Sequence, residues 1–200
     1  AAFADGDGDR PGAEAVDLRD FRLDGGRSLA EDTDLPPRPG VEIGAGVIGN
    51  LVAQFARIRG ARKVMITDVS DFRLEKAREC GIEHTLNVAG KDFVEGTEAV
   101  FGQEKFQVAF EAAGVQSSLD NLVAGVEKGG DVIILGVYEE NPVVNMFHVG
   151  EHELHMFGSL MYRQEDYEET VEMLSKGEFV VDPLISTHFP FEQYLEAYKY

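Results

Sequence analysis

A spaced run of glycines constrains the fold of this chain more than any other feature of its sequence. Gly44, Gly46 and Gly49 follow the predicted strand at residues 41–43 in the order G-x-G-x-x-G, and a segment with helical periodicity comes next. Gly44 permits a tight turn out of a strand, Gly46 lets a pyrophosphate approach the backbone, and Gly49 lets the helix pack on a sheet. The helix N-terminus then offers unpaired N–H groups and its positive dipole end to phosphates. By itself this pattern is a weak signal.

An acidic residue at a suitable distance strengthens the glycine signal. Asp68 ends a second apolar run, residues 63–67, about twenty residues after the last glycine. Its carboxylate can accept hydrogen bonds from both hydroxyls of an adenosine ribose, whereas a 2′-phosphate there would meet a like charge. The alternative for Asp68 is a solvated strand end or a helix cap. Arg73 can reach the ribose or phosphate, or it can be solvated surface. The favoured prediction is a dinucleotide site that prefers NAD over NADP.

From residue 41 onward, short apolar runs alternate with amphipathic segments, which is typical of parallel strands joined by crossover helices. The sequence therefore predicts an α/β fold, a doubly wound parallel sheet of the Rossmann type with a short irregular N-terminal appendage. The predicted strands are residues 41–43, 63–67, 84–87, 107–111 and 131–135, followed by possible strands at 143–147 and 154–159. The predicted helices are residues 48–59, 71–80, 117–126 and 164–176, with a last helix beginning near Phe191.

The first forty residues differ in composition from the rest of the chain. They hold ten of the 37 acidic residues and four of the seven prolines, contain no lysine, and show no sustained period. Such a segment cannot bury enough apolar surface to offset its ordering entropy. We therefore predict two regions: residues 1–40 as an irregular, acidic, Gly/Pro-rich segment, and residues 41–200 as a nucleotide-binding domain with C-terminal helices.

The overall charge excludes some classes of partner. The formal charge of −19 disfavours nucleic acid and anionic membranes, because both reward clustered Lys and Arg. A membrane helix needs about eighteen or more consecutive apolar residues, and no run in this sequence approaches that length. The N-terminal residues lack the pattern of a signal peptide. We expect a cytoplasmic protein.

The single cysteine, Cys80, excludes a disulfide framework and a Cys-rich zinc site, and we interpret it as a half-buried helix residue.

The loops after the later strands add small residues to the predicted site. In an open parallel sheet a cofactor lies across the carboxyl ends of the strands. Ala112, Ala113 and Gly114 follow the fourth predicted strand, and Gly136 and Val137 follow the fifth. Small residues there suit close approach of the nicotinamide half of the cofactor, although an ordinary tight turn would use the same residues.

Five stretches of the chain carry a family resemblance over residues 41–200. They are VEIGAGVIGN, KVMITDVSDFRLEKARECG, FEAAG, VEKGGDVIILG, and ELHMFGSLMYRQEDYEETVEMLSKGEF followed by DPLISTHFPFEQYLEAY. These stretches resemble the medium-chain dehydrogenases, specifically the zinc-dependent alcohol, sorbitol (polyol) and threonine dehydrogenase group. The last two stretches are far more specific than the glycine turn.

The resemblance implies a role for each matching position. The implied cofactor turn is Gly44, Gly46, Val47, Ile48 and Gly49, with Ile48 against the nicotinamide ring. The implied adenosine-ribose contacts are Asp68 and Arg73. The implied wall and backbone contacts of the nicotinamide end are Ala112, Gly136, Val137, Ser159 and Met161. The resemblance also implies a homodimer formed through the sheet edge near residues 143–147, which would explain an otherwise exposed apolar strand.

The chemistry implied by the resemblance is hydride transfer between a secondary alcohol and NAD, with a zinc ion that polarises the alcohol oxygen. In that family the zinc ligands lie in a preceding catalytic domain, and this sequence has no Gly-His-Glu motif and no ligand cysteine. We expect the NAD(H)-binding domain of an alcohol or polyol dehydrogenase, truncated or remnant, with no catalytic and no metal-ligating residues and with doubtful activity alone. The alternatives are a non-catalytic NAD-binding sensor or interaction module and a folded fragment that binds nothing.

One short segment matches a zinc-protease helix pattern, H-x-x-E-H, at His148, Glu151 and His152. Two histidines four residues apart share a face only on a sustained helix, and Gly150 lies between them while the flanks indicate strands. The favoured interpretation is a surface loop with solvated polar side chains rather than a metal site.

Overall fold

The computed structural model describes residues 40–200, so residues 1–39 of the predicted irregular segment lie outside the described part of the chain. The described residues form a single six-stranded sheet in which every pair of neighbouring strands is parallel. Its strands are β1 (Gly40–Ile43), β2 (Val64–Asp68), β3 (His84–Asn87), β4 (Phe106–Glu111), β5 (Val126–Ile134) and β6 (His155–Gly158). Their order in the sheet is β3-β2-β1-β4-β5-β6. The chain therefore reverses direction across the sheet between β1 and β4, where doubly wound folds bind dinucleotides.

Helices cover both faces of the sheet. They are α1 (Val47–Ile58), α2 (Asp71–Glu79), α3 (Phe93–Phe101), α4 (Gln116–Gly125), α5 (Met146–Glu151), α6 (Gln164–Ser175) and α7 (Tyr194–Lys199). Successive side chains of β2 point to opposite faces of the sheet and enter different hydrophobic cores. Met65 packs with side chains of α3, α4 and α5, whereas Ile66 packs with Ala53 of α1 and Leu74 of α2. The prediction of a doubly wound parallel α/β sheet is confirmed.

The predicted strand at residues 143–147 is wrong. Residues 143–145 have no regular structure, and Met146 begins helix α5. Two side chains decide the local conformation: Gln116 of α4 donates to the carbonyl of Val143 and accepts from its amide, both at 2.8 Å, and Asn145 caps α5 by accepting from the amide of His148 at 3.1 Å. A side chain thus takes the hydrogen bonds that a neighbouring strand would have made.

Helix α3 has no counterpart among the predicted elements. Its interior contains Gly96 and several β-branched residues, which weaken a helical pattern in the sequence. In the structure Asp92 caps the helix by accepting from the amide of Glu95 at 2.9 Å. A Cβ at Gly96 would overlap the side chain of Leu86, so the glycine lets α3 pack closely against β3.

The C-terminal segment closes the face that carries α1. Gln54 of α1 is buried and makes two hydrogen bonds to the backbone of Val180, donating to its carbonyl at 3.0 Å and accepting from its amide at 2.8 Å. Phe179 stacks on Phe55, and Glu169 of α6 pairs with Arg59. The last segments are short 3₁₀ turns at Asp182–Leu184 and Phe191–Gln193, the second leading into α7. No helix in the described part of the chain is long and apolar enough to span a bilayer.

Candidate functional site

The turn after β1 needs glycine at its first position. Gly44 has a φ of +107°, which a residue with a side chain adopts only under strain. Its amide donates to the carbonyl of Thr67 at 2.8 Å, which joins the turn to the end of β2. A Cβ at Gly44 would also lie 3.1 Å from the carbonyl carbon of Ala112, in the loop after β4. Gly44 therefore permits both the sharp turn and the close approach of the two strand ends at the switch point.

Gly46 stands in a different environment. It is the N-cap of α1 with a φ of −67°, a value that any residue can adopt, and a Cβ there would meet no atom within 4 Å. Neither backbone strain nor protein packing therefore requires a glycine. The first turn of α1 also has no side-chain cap and no acidic residue, whereas α2 and α3 are capped by Ser70 and Asp92. Open space thus lies against uncapped amide groups, which suits an anionic ligand.

Asp68 joins the glycine turn to the end of β2. One carboxylate oxygen, Oδ2, accepts from the amide of Ala45 at 2.9 Å, and the other, Oδ1, accepts from the amide of Ser70 at 2.8 Å. The side chain is only 5 % exposed, so it is not a solvated strand-end acid. The Arg73 guanidinium lies 3.6 Å from Oδ2 and is itself 58 % exposed. The two residues predicted to contact the adenosine ribose therefore lie together at one end of the switch point.

The remaining residues of the predicted turn divide between surface and core. Val47 and Ile48, at the start of α1, are exposed, whereas Gly49 is buried against the sheet. Exposed apolar side chains beside an open anion-binding turn are suited to cover a bound ligand. The roles of Val47, Ile48 and Gly49 in holding a cofactor stay predictions from the resemblance.

The residues predicted for the nicotinamide end follow three adjacent strands. Ala112 follows β4, Gly136 follows β5, and Ser159 follows β6, where its amide donates to the carbonyl of Ile134 at 3.0 Å. Because all the strands are parallel, these positions lie at the carboxyl ends of the strands, on the same side of the sheet as Gly44 and Asp68. Val137 and Met161, in the same loops, have exposed side chains.

Two buried polar residues near the carboxyl ends of the strands, Glu111 and Asn50, are absent from the predicted set. Glu111, the last residue of β4, is fully buried, and its carboxylate accepts from the hydroxyl of Ser118 and from the amides of the loop that follows β4. Asn50, in the first turns of α1, is fully buried, and neither atom of its amide group has a hydrogen-bond partner among the described residues. A signal for Glu111 is visible in the sequence: it is a charged residue that ends an apolar run immediately before Ala-Ala-Gly.

Comparison with known proteins identifies the family. A sequence model of the zinc-binding dehydrogenases matches residues 47–176, which is more than half of the chain. The chain belongs to this family. Sorbitol dehydrogenase 1 of Saccharomyces cerevisiae is 30 % identical over 166 residues, covering 80 % of this chain and 46 % of the relative. The L-threonine 3-dehydrogenase of Streptomyces avermitilis is 32 % identical over 157 residues, covering 78 % of this chain and 45 % of the relative. The family resemblance stated from the sequence is thus confirmed.

Solved structures agree with the fold of this chain. Galactitol-1-phosphate dehydrogenase from Escherichia coli superposes with a TM-score of 0.73 at 25 % identity, covering 84 % of this chain and 51 % of its own. An alcohol dehydrogenase from Escherichia coli CFT073, solved with NADH, superposes with a TM-score of 0.73 at 24 % identity over 82 % of this chain and 48 % of its own. The chain spans about half the length of the relatives that it matches.

The described residues hold no site for the zinc that the family name implies. Among residues 40–200, no group of three or more His, Cys, Asp or Glu side chains is arranged to hold a metal ion. Cys80 is buried at the end of α2, more deeply than the half-buried position that we expected, and burial raises the pKa of its thiol. A protonated, buried thiol is a poor zinc ligand.

The segment with the H-x-x-E-H pattern is not the predicted surface loop. It forms helix α5, and His148 and His152 are half-buried with ring centroids 3.7 Å apart. Desolvation and then the neighbouring His148 ring lower the pKa of His152. The sequence argument failed here because the Asn145 cap starts a helix that the flanking apolar residues do not indicate.

Proposed function

We propose that this chain is the NAD(H)-binding half of a zinc-type alcohol or polyol dehydrogenase. The observation that carries the proposal is at Gly46, where glycine is required neither by its φ nor by neighbouring protein atoms, and where the uncapped start of α1 faces open space. A diphosphate placed there would receive hydrogen bonds from amide groups and the favourable end of the helix dipole. Family membership supports the same conclusion.

The proposed binding mode uses Asp68 to select the cofactor. Its carboxylate has two oxygens, each holding one backbone amide, and so retains lone pairs for the hydroxyls of an adenosine ribose. The 2′-phosphate of NADP would place negative charge beside a buried carboxylate, which costs more than the same contact in water. Arg73 offsets this repulsion only in part, because it is exposed and 3.6 Å away. We therefore propose NAD(H) as the cofactor.

The reaction that the family suggests is hydride transfer between NAD and a secondary alcohol such as a polyol. When bound, the nicotinamide would accept or deliver the hydride. This chain would bind the diphosphate at Gly46, hold the adenosine ribose at Asp68, and support the nicotinamide end with the loops after β4 and β5. We assign no role in polarising the alcohol to residues 40–200, because they hold no candidate metal cluster.

We also propose that the chain forms a homodimer through the sheet edge beyond β5. The support comes from Val143 and Phe147, apolar side chains before and within α5 that are 76 % and 77 % exposed, and from β6, the last strand of the sheet. Exposed apolar groups and an unpaired strand edge each favour association. Sedimentation analysis of the chain and of Phe147→Glu tests this: a dimer that becomes a monomer supports the proposal, and a monomeric parent chain refutes it.

Calorimetric titration with NAD⁺ and NADP⁺ tests the proposed cofactor. We expect one NAD⁺ per chain and an affinity for NADP⁺ at least about tenfold weaker, equivalent to about 1.4 kcal/mol. Absence of binding by either nucleotide would contradict the proposal and leave a folded fragment without a ligand.

A second candidate function is a non-catalytic NAD-binding module, which the open, uncapped glycine turn supports as well, because that turn accounts for nucleotide binding and not for a reaction. Measurement of NADH formation with a polyol or secondary alcohol and added zinc separates the two. Turnover supports the enzyme, whereas NAD⁺ binding without turnover supports the module.

A cytoplasmic location remains a prediction from the sequence.

A further inference from the structure

Glu111 is a buried carboxylate whose partners in the described part of the chain are neutral groups. Its Oε1 accepts from the amides of Ala113 and Gly114, both at 3.0 Å, and from the hydroxyl of Ser118, while Oε2 lies 3.2 Å from the Gly114 amide. The side chain is 0 % exposed. A charge is expensive to bury, and it is retained here by three donors that converge on it. The carboxylate thereby fixes the backbone of residues 112–114.

The same residue also fixes the loop after β5. The carbonyl of Glu111 accepts from the amides of Leu135 and Gly136, both at 2.8 Å. A Cβ at Gly136 would overlap Oε2 of Glu111 and lie 2.5 Å from the amide nitrogen of Gly114. A Cβ at Gly114, which has a φ of +68°, would lie 2.5 Å from the carbonyl oxygen of Val137. The two loops therefore interlock around one carboxylate, and neither can shift without displacing the other.

These loops lie on one side of the switch point, and Asp68 lies on the other. In the sheet, β1 separates β4 from β2, so Glu111 and Asp68 end strands on opposite sides of the glycine turn. A dinucleotide that crosses the switch point with its adenosine at β2 carries its nicotinamide half over β4 and β5. We propose that Glu111 is a positioning residue, whose carboxylate holds the loops after β4 and β5 at the spacing that receives the nicotinamide half of NAD. This inference rests on the proposed function.

The inference predicts an effect that depends on which half of the ligand is present. Glu111→Gln keeps the shape of the side chain but replaces one carboxylate oxygen by an NH₂ group, which faces the amide of Gly114 as a second donor. We expect the Kd for NAD⁺ to rise at least about tenfold, or 1.4 kcal/mol. The Kd for ADP-ribose, which lacks the nicotinamide, should stay within about twofold, because the diphosphate and adenosine contacts are unchanged.

A control variant distinguishes positioning from a general loss of stability. Gln54→Ala removes two hydrogen bonds from another buried polar side chain, one that contacts Val180 rather than the loops at the strand ends. It should destabilise the chain while leaving the ratio of NAD⁺ to ADP-ribose affinity unchanged. If Glu111→Gln does not fold, Ser118→Ala serves instead, because it removes only the hydroxyl donor, and a smaller NAD⁺-specific loss is expected.

The outcomes separate this inference from the proposed function. Equal weakening of both ligands by the Glu111 or Ser118 variant, or no weakening of either, would overturn the positioning role. Equal affinity of the parent chain for NAD⁺ and ADP-ribose would also overturn it, because the nicotinamide half would then gain nothing from the loops, while the proposed function would stand. Failure of the parent chain to bind either ligand would refute the proposed function itself. A selective loss of NAD⁺ affinity supports the inference.

Discussion

Two buried carboxylates lie at the carboxyl ends of strands in the same sheet, and we interpret their roles differently. Asp68 lies at the end of β2 with an exposed arginine beside it and only one hydrogen bond to each oxygen. Glu111 lies at the end of β4, fully enclosed, with all of its described hydrogen bonds directed at the protein's own backbone and Ser118. We interpret Asp68 as an acid that meets the cofactor, and Glu111 as an acid that shapes the loops around it.

The difference shows that a buried acid at a strand end is not by itself a ligand contact. What separates the two is the number of lone pairs still available and the presence of a nearby opposite charge. Substitution of Asp68 should therefore change mainly the choice of ligand, whereas substitution of Glu111 should change mainly the stability and the shape of the site.

The largest expected effect is on folding. Glu111→Ala leaves the amides of Ala113 and Gly114 without their acceptor, at about 1–3 kcal/mol for each unsatisfied donor, and leaves a void where the fully buried side chain was. The Ser118 hydroxyl can still donate to the carbonyl of Val115 at 2.8 Å. We expect the free energy of unfolding to fall by at least about 3 kcal/mol, measured by urea denaturation. Asp68→Ala is the matched comparison, with a smaller expected loss of about 2 kcal/mol, because it also leaves two amides without an acceptor but the Ser70 amide lies at a partly exposed position. Equal losses in the two variants would remove the distinction between the acids.

The next effect concerns cofactor choice. Asp68→Asn removes the charge that would repel a 2′-phosphate and leaves Arg73 free to attract it. The ratio of NADP⁺ to NAD⁺ affinity should rise at least about tenfold, or 1.4 kcal/mol, measured by calorimetry. A small change in the glycine turn would weaken both nucleotides equally, because both contain the diphosphate, and so it would not alter the ratio of their affinities. Glu111→Gln should leave this ratio unchanged, and a similar rise in both variants would be contradictory.

A smaller effect is expected for the exposed member of the Asp68 pair. Arg73→Ala removes an ion pair whose guanidinium is mostly exposed, so the free energy of unfolding should change by less than about 1 kcal/mol. The affinity for NADP⁺ in the Asp68→Asn background should fall when Arg73 is also replaced. A urea denaturation series combined with nucleotide titration of the double variant measures both quantities. A large loss of stability from Arg73→Ala alone would contradict the interpretation of Asp68 as an acid held by backbone amides.

The smallest effect is a pH dependence beside Glu111. Burial, followed by the Glu111 carboxylate, raises the pKa of Tyr138, whose hydroxyl makes no hydrogen bond of ordinary geometry with residues 40–200. Below pH 10 the phenol is neutral in both the folded and the unfolded chain and contributes nothing to pH dependence. Above pH 10 the unfolded chain loses this proton first, so the free energy of unfolding should fall as pH rises.

Tyr138→Phe tests this pH dependence against a matched background. Between pH 10 and pH 11, denaturation in urea should show a smaller loss of stability in the variant than in the parent chain, because the other tyrosines are common to both. Parallel curves for the two proteins would mean that neither burial nor the Glu111 carboxylate raises the pKa of Tyr138.

The sequence indicated one acid and not the other for a physical reason. The role of Asp68 follows from local spacing, since the glycine turn, the helix and the next strand are consecutive. The role of Glu111 depends on the contact between Gly114 and Gly136, which come from loops after different strands, and no local period encodes that contact. The strand predicted at residues 143–147 failed similarly, because Gln116, a residue of another helix, takes the hydrogen bonds of Val143.

The parallel sheet, by contrast, was predictable almost strand by strand. Buried parallel strands require near-continuous apolar runs, and that requirement is visible in β2 and β4 without knowledge of their partners. Among the helices, α3 was not predicted, because the reason for Gly96 in its interior is its packing on Leu86, which the sequence does not show.

The binding of NADH to Gly46→Val tests most directly whether the turn holds a diphosphate. Valine fits the observed φ of −67° and ψ of −174°, and its Cβ would meet no protein atom within 4 Å, so the free energy of unfolding should fall by no more than about 1 kcal/mol, the cost of a poorer helix N-cap. The side chain would instead fill the space assigned to the diphosphate. In a fluorescence titration we expect the parent chain to bind NADH and the variant to bind at least about a hundredfold more weakly, or 2.7 kcal/mol. Equal binding by the two proteins, or none by the parent chain, would contradict the proposed site.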